Sequence, residues 1–173
     1  MKKESTLDLT PETYRFIEKL GLFHEKYGLP RIGGMIVGLL MISEDALSPE
    51  EIARLLGVSR SSISTNLNML KLVGFLESIR IPGSRKEFIR LSDDGLENSI
   101  KVKLNSYSPF EEILQEGIHS IKPPKKVIER IEGLIQYLRL EKKMLTELLD
   151  KLKCKDSKLA KIHSLLKKKR YNK

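Results

Sequence analysis

The sequence predicts a mainly α-helical protein carrying one small β-hairpin, with a helix-turn-helix and the hairpin followed by long C-terminal helices. Three observations predict it. Two capped helical patterns flank a glycine in "SPEEIARLLGVSRSSISTNLNMLKLVGFL", residues 48–76. Two β-type runs, "FLESIRI" and "RKEFIRL", are separated by Pro82-Gly83-Ser84. From Val127 onward, apolar residues recur at alternating steps of four and three, the period of a helical seam.

The first helix opens at Thr10-Pro11, with proline in its first turn. Tyr14, Ile17, Leu20, Phe23 and Tyr27 supply its apolar positions before Gly28 stops it. "LPRIGGMIVGLLMIS" is apolar and glycine-rich but too short to cross a bilayer. It reads as a buried helix in which Gly33, Gly34 and Gly38 permit close packing. Ser48-Pro49-Glu50-Glu51 is a capping box: Ser48 accepts from the Glu51 N–H, the Glu51 carboxylate reaches back, and proline takes the first helical position. Ile52, Leu55 and Leu56 form the apolar face of the helix that follows, and Gly57 supplies its left-handed end.

Ser59 caps the next helix, which runs to about Val73 and is stopped by Gly74. Two helices joined by so short a turn make a helix-turn-helix. Ile63, Leu67 and Leu70 share one stripe of the second helix and face the core; the opposite side carries Ser61, Thr65 and Asn68, flanked by Ser62, Ser64 and Asn66. A merely solvated face is ordinarily Lys and Glu, because Ser, Thr and Asn cost helix propensity. Small hydroxyls and amides suit a DNA major groove, where they bond phosphates and base edges, and Asn pairs bidentately with adenine.

The hairpin strengthens that reading. Arg80, Arg85 and Lys86 surround its tip, and between Arg54 and Arg90 seven basic residues stand against Glu77 and Glu87, a local surplus of five. Charge on the reading unit is what phosphate contact requires. The global net charge of +9 is a different matter. Residues 151–173 hold ten Lys/Arg against Asp156, which leaves 22 against 22 in the rest of the chain. That run reads first as a solvated basic tail.

"GLPRIGGMIVGLLMIS" together with "LSPEEIARLLGVSRSSISTNLNMLKLVGFLESIRIPGSRKEFIRL", within Gly28 to Leu91, resembles the winged helix-turn-helix of MarR-type transcriptional regulators. The "GLPR" opening and the "PGSRKEF" wing tip look most like the GbsR branch. The resemblance covers rather more than a third of the chain. It implies a homodimer acting on an operator in double-stranded DNA as a repressor or an activator, with repression the favoured expectation, and a small-molecule effector of unidentified chemistry. It makes residues 59–73 the recognition helix and Arg85-Lys86 the wing tip. The expected DNA-binding set is therefore Ser59, Arg60, Ser61, Ser62, Ser64, Thr65, Asn66, Asn68, Arg85 and Lys86. The wing departs from many MarR proteins in lacking an Asp-Arg pair near its tip.

The remainder reads as the dimerisation region. Ser92 caps a helix, Ser106-Tyr107-Ser108-Pro109 marks a break, a second short helix follows, and Lys122-Pro123-Pro124 punctuates again. The seam that follows is Val127, Ile131, Leu134, Leu138, Leu145, Leu148 and Leu152, with Glu141 at the missing position and the phase continuing through Leu159, Ile162 and Leu166. So narrow a stripe needs a partner. A second subunit is the favoured one, through Ile131, Leu134, Leu138, Leu145, Leu148 and Leu152, and an antiparallel helix of the same chain is the alternative. Two regions result: residues 1–95, the N-terminal helices and DNA-binding domain, and residues 96–173, the helical dimerisation region with its basic tail.

Chemistry beyond binding finds no support. His24, His119 and His163 are far apart in sequence and lack the spacing of a helical metal site. Cys154 lies among lysines, which favour a thiolate, but reads as a bystander. There is no phosphate-cradling loop and no nucleophile motif, so neither an enzyme nor a cofactor is expected. A single cysteine, no apolar leader and no membrane-length stretch point to the cytoplasm. The alternative to DNA binding is a winged-helix protein-interaction module, for which the helix face lacks large apolar anchors.

Overall fold

The computed structural model describes residues 9–153 and residue 164. Cys154, most of the lysine-rich tail and the continued seam at Leu159, Ile162 and Leu166 lie outside the described residues. The chain divides between Gly95 and Leu96 into two compact units.

The first unit begins with α1 (Pro11–Lys26) and α2 (Arg31–Ile42). Thr10 caps α1 by accepting from the Thr13 N–H at 3.3 Å. The two helices approach closely because α2 presents glycines to α1: a methyl group on Gly34 would stand 2.6 Å from the Leu20 carbonyl oxygen. The apolar residues of α1 divide between two sides. Ile17 is fully buried, whereas Phe16, Phe23 and Tyr27 remain exposed.

The capping box ahead of α3 (Pro49–Leu56) is complete: the Glu51 N–H donates to Ser48 Oγ at 3.2 Å, and the Ser48 N–H donates to Glu51 Oε2 at 2.7 Å. Gly57 ends the helix at φ 64°, a conformation that costs a glycine nothing. Ser59 caps α4 (Arg60–Leu72) by accepting from the Ser62 N–H. β1 (Leu76–Arg80) and β2 (Glu87–Leu91) form the antiparallel hairpin, with Leu76 opposite Leu91 and Arg80 opposite Glu87. The strand period of two puts Leu76, Ser78, Arg80, Glu87, Ile89 and Leu91 on one face. Leu76, Ile89 and Leu91 join the core there. Leu47, just before α3, exchanges two backbone hydrogen bonds with Ile89, at 3.0 and 2.7 Å. Ile36, Leu39, Ile52, Ile63, Leu67 and Leu70 complete a core shared by α2, α3, α4 and the hairpin.

The second unit pairs two long antiparallel helices, α5 (Gly95–Ile121) and α6 (Lys125–Lys153). The expectation of a break at Ser106–Pro109 is corrected, because α5 continues through Pro109 as a single helix. Proline removes one intrahelical hydrogen bond. Ties to α6 stand on both sides of it: Lys103 with Glu141, Lys142 Nζ with Ser108 Oγ at 2.9 Å, and Arg139 with Glu111. The helix also begins at Gly95 rather than directly behind Ser92, whose carbonyl accepts the Gly95 N–H in the turn before it.

The seam of α6 is corrected in phase as well. Leu138 and Leu152 are buried within the single chain, and Leu145 and Leu148 pack with Ile100, Leu104, Leu149 and Leu152. Ile135 and Leu149 are buried, whereas Leu134 is 40% exposed. The inward stripe thus runs through 135, 138, 145, 149 and 152 and meets α5 of the same subunit. Glu141 interrupts it because it answers Lys103 across the pair. Left uncovered on α6 are Leu134, Tyr137, Leu140 and Met144.

Candidate nucleic-acid interface

The inward stripe of α4 fixes what the helix presents outward. With Ile63, Leu67 and Leu70 buried, Arg60, Ser61, Ser64, Thr65 and Asn68 are exposed along the opposite side. At the N-terminus of the helix, Ser59 Oγ donates to Ser62 Oγ at 2.9 Å and lies 3.1 Å from Ser61 Oγ. These hydroxyls arrive at the surface already oriented. Thr65 Oγ1 donates to the Ser61 carbonyl at 3.1 Å, so its outward offer is an acceptor and a methyl group. The Ser64 hydroxyl and the Asn68 amide take part in no hydrogen bond among the described residues, which leaves both free for an external partner.

Three of the sequence-expected residues also have structural roles, and one of them is buried away from that surface. Asn66 is only 8% exposed, donates Nδ2–H to the Ser62 carbonyl at 2.8 Å, and turns Oδ1 towards Gly33 of α2. It packs one helix on another, which corrects its expected place on the flank of the exposed polar face. Ser62 is half-buried in the capping network, and Ser59 serves as the helix cap. Leu72, 75% exposed, ends the polar stripe as its one large apolar residue.

The hairpin tip is a tight turn in which the Ser84 N–H donates to the Ile81 carbonyl at 3.0 Å and Gly83 takes φ 81°. Proline followed by a glycine of positive φ is the chemistry of a type II turn. Arg85 and Lys86 follow it, both exposed, and the Lys86 N–H is anchored on Ser84 Oγ.

Counting cations by sequence overstates two of them. Lys71 Nζ lies 2.8 Å from Glu87 Oε1, and Arg90 pairs with its cross-strand neighbour Glu77 and, at 3.8 Å, with Asp93. Arg54, Arg60, Arg80, Arg85 and Lys86 take part in no ion pair among the described residues. Arg54, on the last turn of α3, and Arg80, at the root of the tip, thus join the candidate surface. The local basic surplus was the sequence signal for both.

No group of His, Cys, Asp and Glu able to hold a metal occurs among the described residues. In the second unit, Gln115, His119, Glu132, Gln136 and Arg139 line an open cleft between α5 and α6. Arg139 is already committed there to Glu111, whose carboxyl it holds below the usual carboxylate range.

Residues 27–87 match the family model described as MarR family, a span that includes α2, α3, α4, β1 and the hairpin tip. The HTH-type transcriptional regulator MmpR5 of Mycobacterium tuberculosis (strain ATCC 25618 / H37Rv) is 26% identical over 133 residues, covering 74% of this chain and 81% of that protein. A crystal structure described as that of a transcriptional regulator superposes with a TM-score of 0.76 at 23% identity, over 83% of this chain and 99% of the other. That likeness is one of fold. Family model, relative and element order converge on one fold, a winged helix followed by long C-terminal helices, in which residues 27–87 carry the similarity to the MarR family.

Proposed function

We propose that the protein is a homodimeric repressor that reads an operator in double-stranded DNA with α4 in the major groove and the Arg85-Lys86 tip on the adjacent backbone or minor groove. The observation that carries this reading is the exposed α4 stripe of Ser61, Ser64, Thr65 and Asn68, bracketed by five unpaired cations. A protein-binding helix would present several large apolar anchors; this one presents Leu72 alone.

Two copies are needed because half-sites about one helical turn apart call for two linked recognition helices. Leu134, Tyr137, Leu140 and Met144 on α6, with Phe110 and Ile113 on α5, are among the exposed apolar residues available for that linkage. Residues 1–95 then form the DNA-binding domain and residues 96–173 the dimerisation region. The "GLPRIGG" opening and "PGSRKEF" tip favour the GbsR branch, and the site of action is the cytoplasm. A small-molecule effector remains part of the reading, its chemistry unassigned.

The test is binding to duplex DNA across a salt series. Six to ten phosphate contacts from a dimer give a log–log slope of roughly −5 to −9 and about a 10³-fold loss between about 50 and 200 mM salt. A flat response rejects the proposal. Replacing Arg85 and Lys86 together by alanine weakens all sequences alike, since phosphate contacts position without specifying.

A further inference from the structure

Glu87 is an acid at the edge of a surface argued above to meet phosphate. Its carboxylate is not free. Glu87 Oε1 accepts from Lys71 Nζ, at the C-terminal end of α4, at 2.8 Å and also from Ser78 Oγ on β1. Arg80 stands directly opposite it in the strand register. One oxygen on β2 thus gathers the recognition helix and the neighbouring strand. The hydrogen bond from Lys71, seconded by the one from Ser78, holds the Glu87 carboxyl below its ordinary range, so the group is ionised at neutral pH.

On the face of the hairpin that carries Glu87, no buried apolar residue lies beyond Ile89; past it lie Glu87 and the exposed tip. This polar junction ties the tip-proximal end of β2 to α4.

We propose that Glu87 is a positioning residue for DNA recognition: through Lys71 and Ser78 it fixes the hairpin tip relative to α4, so that both reach one duplex in register. The proposal rests on the DNA-binding reading. It also makes a prediction opposite in sign to simple electrostatics. Glu87→Gln removes one negative charge from the surface and Lys71→Gln removes one positive charge. If only charge mattered, the first variant would bind DNA more tightly and the second less tightly, each changing the salt slope by about 0.9. If the junction positions the tip, both variants lose preference for the operator.

The probes are a duplex that the wild-type chain selects from genomic fragments and a shuffled duplex of the same length and composition. In both single variants, operator affinity is expected to fall about 3- to 10-fold, the range for members of one hydrogen-bonded network. Affinity for the shuffled duplex rises slightly in Glu87→Gln and falls slightly in Lys71→Gln. The reversed pair, Lys71→Glu with Glu87→Lys, keeps the net charge and recovers a substantial part of the operator preference. Thermal unfolding of each variant separates a lost junction from a lost fold. Tighter operator binding by Glu87→Gln, or no recovery in a folded reversed pair, overturns the assignment. Failure of the wild-type chain to retain either duplex at low salt overturns the DNA reading itself.

Discussion

The two units bury their apolar residues on different terms. All seven of the largest fully buried side chains, Ile17, Ile36, Leu39, Leu47, Ile52, Ile63 and Ile89, belong to the first unit. In the second, the helix pair buries Ile100, Tyr107, Ile135, Leu138, Leu149 and Leu152, none of them among the fully enclosed side chains, and adds the ion pairs Lys103–Glu141 and Arg139–Glu111. It leaves Tyr137, Leu140 and Met144 respectively 59%, 59% and 61% exposed. Exposed apolar residues clustered in this way mark interaction surfaces. The first unit also leaves Phe16, Phe23 and Tyr27 exposed beside its closed core; on the dimer reading proposed above, the exposed stripe of the helical pair is covered by a second copy.

The sharpest way to break that comparison is Leu140→Glu. On the dimer reading it places one unpaired charge per copy in an apolar interface, at roughly 3–5 kcal/mol each. Sedimentation should show monomers while circular dichroism shows the helices intact. A dimer that survives would mean that the exposed stripe of α6 is not the interface. Next in size is Ile63→Ala, which removes a fully buried side chain from the first unit at about 2–5 kcal/mol; urea unfolding measures it. Gly34→Ala is expected to cost about 1–3 kcal/mol, because its methyl group meets the Leu20 carbonyl and backbone must move. Alanine's higher helix propensity offsets only part of that.

Acid should produce the smallest effect and confine it to polar contacts. Glu141 and Glu111 have lowered carboxyl pKa values, chiefly through hydrogen bonds from Lys103 and Arg139 respectively. A lowered folded value means that the stabilisation is fully present above the ordinary carboxylate range and lost as pH falls through the folded values. Mild acid should loosen the α5–α6 pair before it touches the core of the first unit, as amide exchange can follow. Both carboxylates are screened by solvent, so added salt should shrink the difference further.

The first unit was legible in the sequence because its signals are local. Thr10-Pro11, the Ser48–Glu51 box, Ser59 and the glycines at 28, 57 and 74 each act within a few residues of themselves. The second unit was not, because its ambiguities are settled by a neighbour far along the chain. α6 carries adjacent leucines at 148 and 149 and adjacent apolar residues at 134 and 135, so a heptad can be drawn through either member. Only the position of α5 decides which turns inward. Pro109 misled for the same reason: a proline ends a helix that stands alone, and this one is held on both sides. Asn66 lies on the flank of a polar face, and its burial depends on Gly33 of a different helix.

The two hydrogen bonds between Leu47 and Ile89 join residues that stand at either end of α3, α4 and most of the hairpin. Topologically, the stretch from 47 to 89 is a closed ring whose two ends meet at one point. Such a ring is a natural cassette: an exchange of α3, α4 and the tip between relatives cuts the backbone at two places that are already neighbours. On the DNA-binding reading proposed above, operator preference is then transplanted with its flanking scaffold left in place.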